Sequence, residues 1–414
     1  MADRHFPVRP NLDQLKHQAK DLLHAIRQGD PAAVAELQKH HPKNVAPDAA
    51  KLADAQLALA RSYGLPSWPR LVLACRMTDA IWRDDADTVR DLVLKHPRLL
   101  REDARGVKGN WGPPMSYAAN LGRDRIIAML RGLGAEDVQF AFDRACLQGR
   151  LDTARQLYAM GARPALDSVM GPAETQNSAG MAFLLDLGAE ISDAHGDRLA
   201  PVAMVLETYC RNPEGKRRCL ELFAEHGIEL PDTPPMAVHR GRIDLIEEHL
   251  RRDPGLFTRT FSHQEIYPPE LGCHADESLA LHTTPLGGAA LLHLCVDNDE
   301  MEIARWMIAH GADVNVKAAV DTEGFGGHTA LFGCVVAQPL RLRSHDDFAQ
   351  LLLDHGADPS IRASLRKRMR FVGDELEREY LDVTPLAWGQ RFHEQEFVSK
   401  PAMRLIAERG GQMS

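Results

Sequence analysis

Aromatic residues are scarce in the 414-residue sequence, with Phe, Trp and Tyr making up 6% of it. That disfavours a β-sandwich, whose strands lean on aromatic and β-branched side chains, and suits helices packed through small residues. No run of about 18 apolar residues occurs, so no membrane span is expected. The seven cysteines are odd in number and none sits at C-x-x-C spacing. A disulfide framework and a zinc ribbon are therefore unsupported, and buried reduced thiols in a cytoplasmic protein are expected. The opening MADRHFPVRP has no apolar stretch, so a secretory signal is not expected. A basic excess is also missing. Lys+Arg is 49 against 58 Asp+Glu, a net charge of −9, a poor basis for binding nucleic acid or an anionic membrane. There is no P-loop, no G-x-G-x-x-G opening a helix after a strand, no G-x-S-x-G and no H-E-x-x-H, so no cofactor is expected.

What is present is a repeat. An amphipathic helix followed by Gly-Ala occurs as IIAMLRGLGA (126–135), TARQLYAMGA (153–162), MAFLLDLGA (181–189), IARWMIAHGAD (303–313) and FAQLLLDHGAD (348–358). Worn copies are CLELFAEHGI (219–228) and MRLIAERGG (403–411), and two more, DADTVRDLVLKHPRLL (85–100) and RIDLIEEHLRRDPGL (242–256), end without Gly-Ala. Ile126, Ile127, Leu130 and Leu133 lie on one helical face. Gly134 then falls where a left-handed residue closes the helix. A shorter helical segment precedes each copy, as in PMSYAANLG (114–122), and neither helix buries its apolar face without a neighbouring pair.

These units, with GADVN (311–315), GHTALF (327–332), ALLHLCV (290–296) and DVTPL (382–386), resemble the ankyrin repeat. The resemblance spans residues 78–411 and is strongest after residue 285. It implies an all-α solenoid of about eight or nine helix pairs, hairpin fingers on one side and an N-terminal helical cap, and it gives His293 a structural role bonding to neighbouring backbone. The expected function is a binding scaffold that takes a protein or peptide partner through the concave face and the inserted loops. Gly134, Gly161 and Gly188 follow one another at 27 residues, short of the usual 33 or so, so these units are expected to have lost the finger.

Residues 1–77 lie outside the repeat. Leu12, Leu15, Ala19, Leu22, Leu23 and Ile26 share one face of a first helix. Residues 51–71 read as a helix stopped at Gly64, with Pro66 and Pro69 punctuating its end and Trp68 as an apolar anchor. The Ala-Asp-Ala-Gln…Tyr-Gly…Ser-Trp-Pro stretch resembles the helical leader of many bacterial ankyrin arrays. The expected organisation is a capping module at 1–77, short degenerate repeats at 78–256, an insertion at 257–289, and repeats with a long finger (316–328) and a C-terminal cap at 290–414.

Departures from a repeat map to its loops and often to its binding face. The insertion holds His263, Glu265, Tyr267, Cys273, His274, Asp276, Glu277 and His282, and the lengthened finger holds Asp321, Glu323, Phe325 and His328. Belonging to successive connections, the two should be neighbours. A third departure lies at 337–347. Candidate binding residues are His263, Glu265, Tyr267, His274, His282, Asp321, Glu323, Phe325 and His328. The alternative is an enzyme or small-molecule site, with His274, Asp276 and His282 catalytic, or with His274, His282 and His328 on a metal. RASLRKRMR (362–370) followed by GDELERE (373–379) reads as a charge-laced exposed helix pair.

Overall fold

A computed structural model of the chain describes residues 4–341 and 345–412. It is all-α apart from one small hairpin, and it divides after Arg163 into two compact units.

The first unit opens with α1 (Leu12–Arg27), α2 (Pro31–His40) and α3 (Leu52–Ser62), followed by α4 (Trp68–Trp82). Leu15, Ala19, Ile26, Leu37, Leu59 and Leu71 form their shared core. Here Pro69 opens a helix instead of closing one. It sits in the first turn of α4, where its missing N–H leaves nothing unsatisfied, and the Ser67 hydroxyl caps the turn by accepting from the Arg70 N–H at 3.3 Å. Helix pairs follow: α4 with α5 (Ala86–Lys95), α6 (Pro114–Asn120) with α7 (Asp124–Gly132), and α8 (Val138–Leu147) with α9 (Leu151–Ala159). The inner helices stack α4 on α6 on α8. Only residues 133–137 join α7 to α8, a tight connection with no strand.

The second unit continues the pattern with α10 (Met170–Glu174) and α11 (Ser178–Asp186), α12 (Ala200–Glu207) and α13 (Pro213–Glu225), and α14 (Pro234–His239) and α15 (Ile243–Arg252). The insertion carries the single-turn α16 (His263–Ile266). Then come α17 (Leu291–Asp297) with α18 (Met301–Ala309) and α19 (Ala330–Val335) with α20 (His345–Asp354). Strands β1 (Ala363–Lys367) and β2 (Arg378–Val383) precede α21 (Pro385–Arg391) and α22 (Lys400–Glu408). Nine helix pairs are thus described. The departure at 337–347 lies partly outside the described residues.

The seven repeat glycines, 134, 161, 188, 227, 311, 356 and 410, all have φ between +84° and +109°. Nothing stands within 4 Å of a Cβ placed at any of them, so the constraint there is conformational and not steric crowding.

The run 362–370 holds the strand Ala363–Lys367 and is not part of a helix pair. Ala363, Leu365 and Lys367 alternate inward, and β1 pairs antiparallel with β2 in the register Leu365↔Tyr380 and Lys367↔Arg378. The period is two, and the lysine at an inward position masks it.

Ring N–H groups of buried histidines tie the pairs together. His239 Nε2 donates to the Ile266 carbonyl at 3.0 Å, His293 Nε2 to the His328 carbonyl at 3.0 Å, and His328 Nε2 to the Pro285 carbonyl at 2.9 Å. A second tie skips a pair. From the loop after α12, Arg211 donates to the Asp297 carbonyl at 2.6 Å and meets its carboxylate at 2.9 Å. From α13, Lys216 lies 3.4 Å from Glu300 and donates to Asn298 at 3.0 Å, while Arg217 meets the other Glu300 oxygen. Lys216 and Glu300 are both fully buried.

Candidate functional site

Three connections lie side by side: the insertion, the 316–328 finger and the β1–β2 hairpin. Backbone bonds join them. Within the insertion Gly288 N–H donates to the Phe261 carbonyl at 2.8 Å, and Ala319 N–H of the finger donates to the Gly288 carbonyl at 2.8 Å. Gly326 N–H donates to the Ser364 carbonyl at 2.7 Å. The insertion and the finger are therefore the neighbours their sequence positions suggest. The insertion is also anchored to the end of α19, where the Thr283 and Thr284 hydroxyls both donate to the Val336 carbonyl at 2.8 and 2.9 Å. At the finger tip, Asp321 Oδ1 accepts from the Glu323 and Phe325 N–H groups, both at 2.9 Å. Gly326 has φ +123°, and a Cβ there would overlap the Ala319 carbonyl oxygen. Only glycine lets the two backbones approach this closely.

Between the three connections opens a cavity of about 560 Å³. Its walls include His263, Asp276 and Glu277 from the insertion, Asp321, Phe325 and His328 from the finger, and Arg366 and Lys367 from β1. Five of the residues singled out in the sequence (His263, Asp276, Asp321, Phe325 and His328) thus share one cavity. His282 backs it: its Nε2 donates to Glu277 Oε1 at 2.9 Å, and the same oxygen accepts from the N–H groups of Leu286 and Gly287 at 2.8 and 2.9 Å. Burial opposes ionisation of Glu277, yet the bonds from His282 and Gly287 hold it below the usual carboxylate range. Burial, and then the nearby Lys367, push His282 down to about 4. Burial, and then His293, push His328 down to about 3. Both rings are neutral at physiological pH.

The other expected residues lie elsewhere. Tyr267, expected as a surface contact, is 2% exposed, and its ring stacks on His282 at 6.1 Å and packs on His263 at 5.2 Å. It is a packing residue, since its apolar ring is better buried than wetted. His274 is exposed and held by Glu207, its Nδ1 2.9 Å from Oε2. Glu265 closes the capping box of α16 with Ser262 and pairs with Arg259 at 3.1 Å. Glu323 pairs with Arg366, which also meets Asp321 at 2.8 Å and stands 4.7 Å over the Phe325 ring. The three histidines of the metal alternative are thus engaged separately. Among the described residues, no group of three or more His, Cys, Asp and Glu side chains is placed to hold a metal ion. Burial raises the thiols of Cys75, Cys146, Cys219 and Cys334 to about 12, which removes their nucleophilic form at neutral pH.

A family model described as ankyrin repeat matches residues 287–319, the stretch that runs from the cavity wall through α17 and α18 to the finger. The chain is an ankyrin-repeat protein. Among solved structures it is similar to the human ASB11 ankyrin repeat domain, at 18% identity over 59% of this chain and 99% of that one, with a TM-score of 0.28. No curated protein matches it. No helix among its described residues is long and apolar enough to cross a membrane. Ankyrin repeats are in general protein–protein interaction modules.

Several cavity residues of this ankyrin-repeat protein are absent from the sequence candidates. Lys367 and Arg366 were hidden by the helical reading of the basic run; the alternation of Ala363, Leu365, Lys367 and Met369 was the available signal. Glu277 was visible as one acid among several, and nothing in the sequence marks it as the one that accepts three hydrogen bonds.

Proposed function

We propose that this ankyrin-repeat protein is a cytoplasmic binding scaffold that captures a protein or peptide on the face built by its insertion, finger and hairpin. The stacked helix pairs supply a rigid backing, so little ordering entropy opposes association. One observation carries the reading. Large apolar side chains stand in solvent on the hairpin and finger: Phe371 is 77% exposed, Leu376 65%, and Leu381 and Val320 60% each. Phe371 is also held at φ +62°, a conformation unfavourable for a bulky residue. Large exposed apolar side chains gathered on adjoining connections suit an interaction surface. The Phe371→Ser, Leu376→Ser double variant should lose partner capture in a pull-down while keeping the helical CD spectrum and melting temperature of the parent. Undiminished capture would remove the hairpin from the binding face.

The cavity favours a second reading, a small-molecule site, because His263, Glu277 and Lys367 share its wall. Sites of this kind are concave pockets of about 300–1,000 Å³ with a few polar groups.

A further inference from the structure

Lys367 is the one cavity cation without a direct partner. Its neighbours in the strand are engaged: Arg366 with Asp321 and Glu323, and Arg368 Nε with the Glu375 carbonyl at 3.0 Å. Lys367 points to the opposite face of β1, where it is 4% exposed and lines the cavity. Among the described residues no hydrogen bond and no ion pair within 4 Å ends on its Nζ, and the carboxylates of Glu277, Asp297 and Glu377 act on it only from farther away. Glu277, across the cavity, directs Oε1 to His282 and two backbone N–H groups instead. An ammonium largely withdrawn from water and left without a direct partner is costly, and such a charge is kept where a counter-charge arrives.

We propose that the cavity binds a ligand bearing a single carboxylate, with Lys367 Nζ donating to it. The lining chooses this anion over phosphate. Asp276, Glu277, Asp321 and Glu377 share the wall with three basic residues, of which Arg366 is already paired. A dianion would meet about twice the repulsion from those acids that a monoanion meets, with only one unpartnered ammonium to offset it. Leu365, Pro285 and Phe325 offer apolar surface for the rest of the ligand. The carboxylate belongs either to a free organic acid or to a peptide. This inference rests on the binding reading above and supplies its chemistry.

A linked proton gives a specific signature. Burial lowers Lys367 to about 8, against the pull of Glu277, Asp297 and Glu377; His282, the imidazole it influences, stays neutral. A carboxylate on Nζ restores the ammonium, so binding at pH 8 takes up about half a proton per site.

The test is calorimetric titration of the full chain at pH 8 in two buffers of different ionisation heat. The probes are 4-phenylbutyrate, its primary amide, a hexapeptide with a free C-terminus, the same peptide amidated, and inorganic phosphate. The expected result is at least tenfold preference for a carboxylate over its amide, with proton uptake, and no phosphate binding at equal concentration. Lys367→Met should abolish the preference and the uptake. If that variant does not fold, proton uptake by the parent decides alone. 4-Phenylbutyrate without the peptide identifies a free acid as the source, and the reverse identifies a peptide. Equal affinity for acid and amide, binding without proton uptake, or no binding by either carboxylate overturns the proposal. Carboxylate binding in a protein whose partner capture ignores Phe371 and Leu376 would instead remove the hairpin from the capture face and leave the cavity assignment standing.

Discussion

Replacing Glu300 by Gln removes the counter-charge beside Lys216, and the structure sets the size of the effect. The two groups are fully buried and 3.4 Å apart. At an effective dielectric constant near 20, charges at that distance attract by about 5 kcal/mol. A broken buried pair costs about 3–5 kcal/mol, because the surviving charge stays buried. Glu300→Gln should therefore destabilise by about 3–5 kcal/mol. Lys216→Met should cost less, about 2 kcal/mol, because Arg217 still neutralises Glu300. The double variant leaves no orphaned lysine and should be less destabilised than the sum of the singles, with a coupling of about 2 kcal/mol. Urea unfolding followed by circular dichroism, at unchanged slope, measures all three. Additivity within about 0.5 kcal/mol, or equal costs for the two singles, would show that the pair does not act as a unit.

Gly311→Ala, at φ +93° with open space around the new methyl, should lose about 1–2 kcal/mol through backbone conformation alone; a D-alanine introduced semisynthetically at 311 should restore stability, and a loss for both would point to crowding. His282 and His328 are depressed from an ordinary value near 6.5. Their stabilising effect is therefore complete above pH 6.5 and disappears as pH falls toward about 4 and 3. Stability should fall by up to about 1.4 kcal/mol per pH unit for each histidine in that window, and a flat denaturation midpoint from pH 7 to 4.5 would contradict the buried neutral assignment. Deleting residues 1–66 should uncover Leu71, Ala74 and Cys75 of the first core, lowering the melting temperature and raising dye binding; an equally stable truncation would show that these helices do not cap the array.

The helix pairs were legible because their punctuation is stereochemical. A residue at positive φ after seven of the nine outer helices favours glycine, and glycine at matched places after apolar faces can be read without coordinates. The insertion and finger were legible for the converse reason, as lengths the repeat does not need. Lys367 was not legible. A lysine at the inward position of a strand breaks the apolar alternation that would reveal the strand, and only tertiary pairing with β2 and Gly326 fixes which way it faces. Tyr267 failed in the opposite direction. An aromatic ring in a long loop reads as a contact residue until the loop is seen folded back over the imidazoles of His263 and His282.

The fastening of the α12–α13 segment to the turn after α17 has a mechanical consequence. In an array where each member touches only its successor, force applied to the ends peels members away singly, and a member can be excised by rejoining its flanks. Here α14 and α15 sit inside a closed clasp. Stretching this region should produce one large rupture spanning residues 211–300 instead of a staircase, and a construction that omits the clasped pair would have to fail or find a new latch for Arg211 and Lys216.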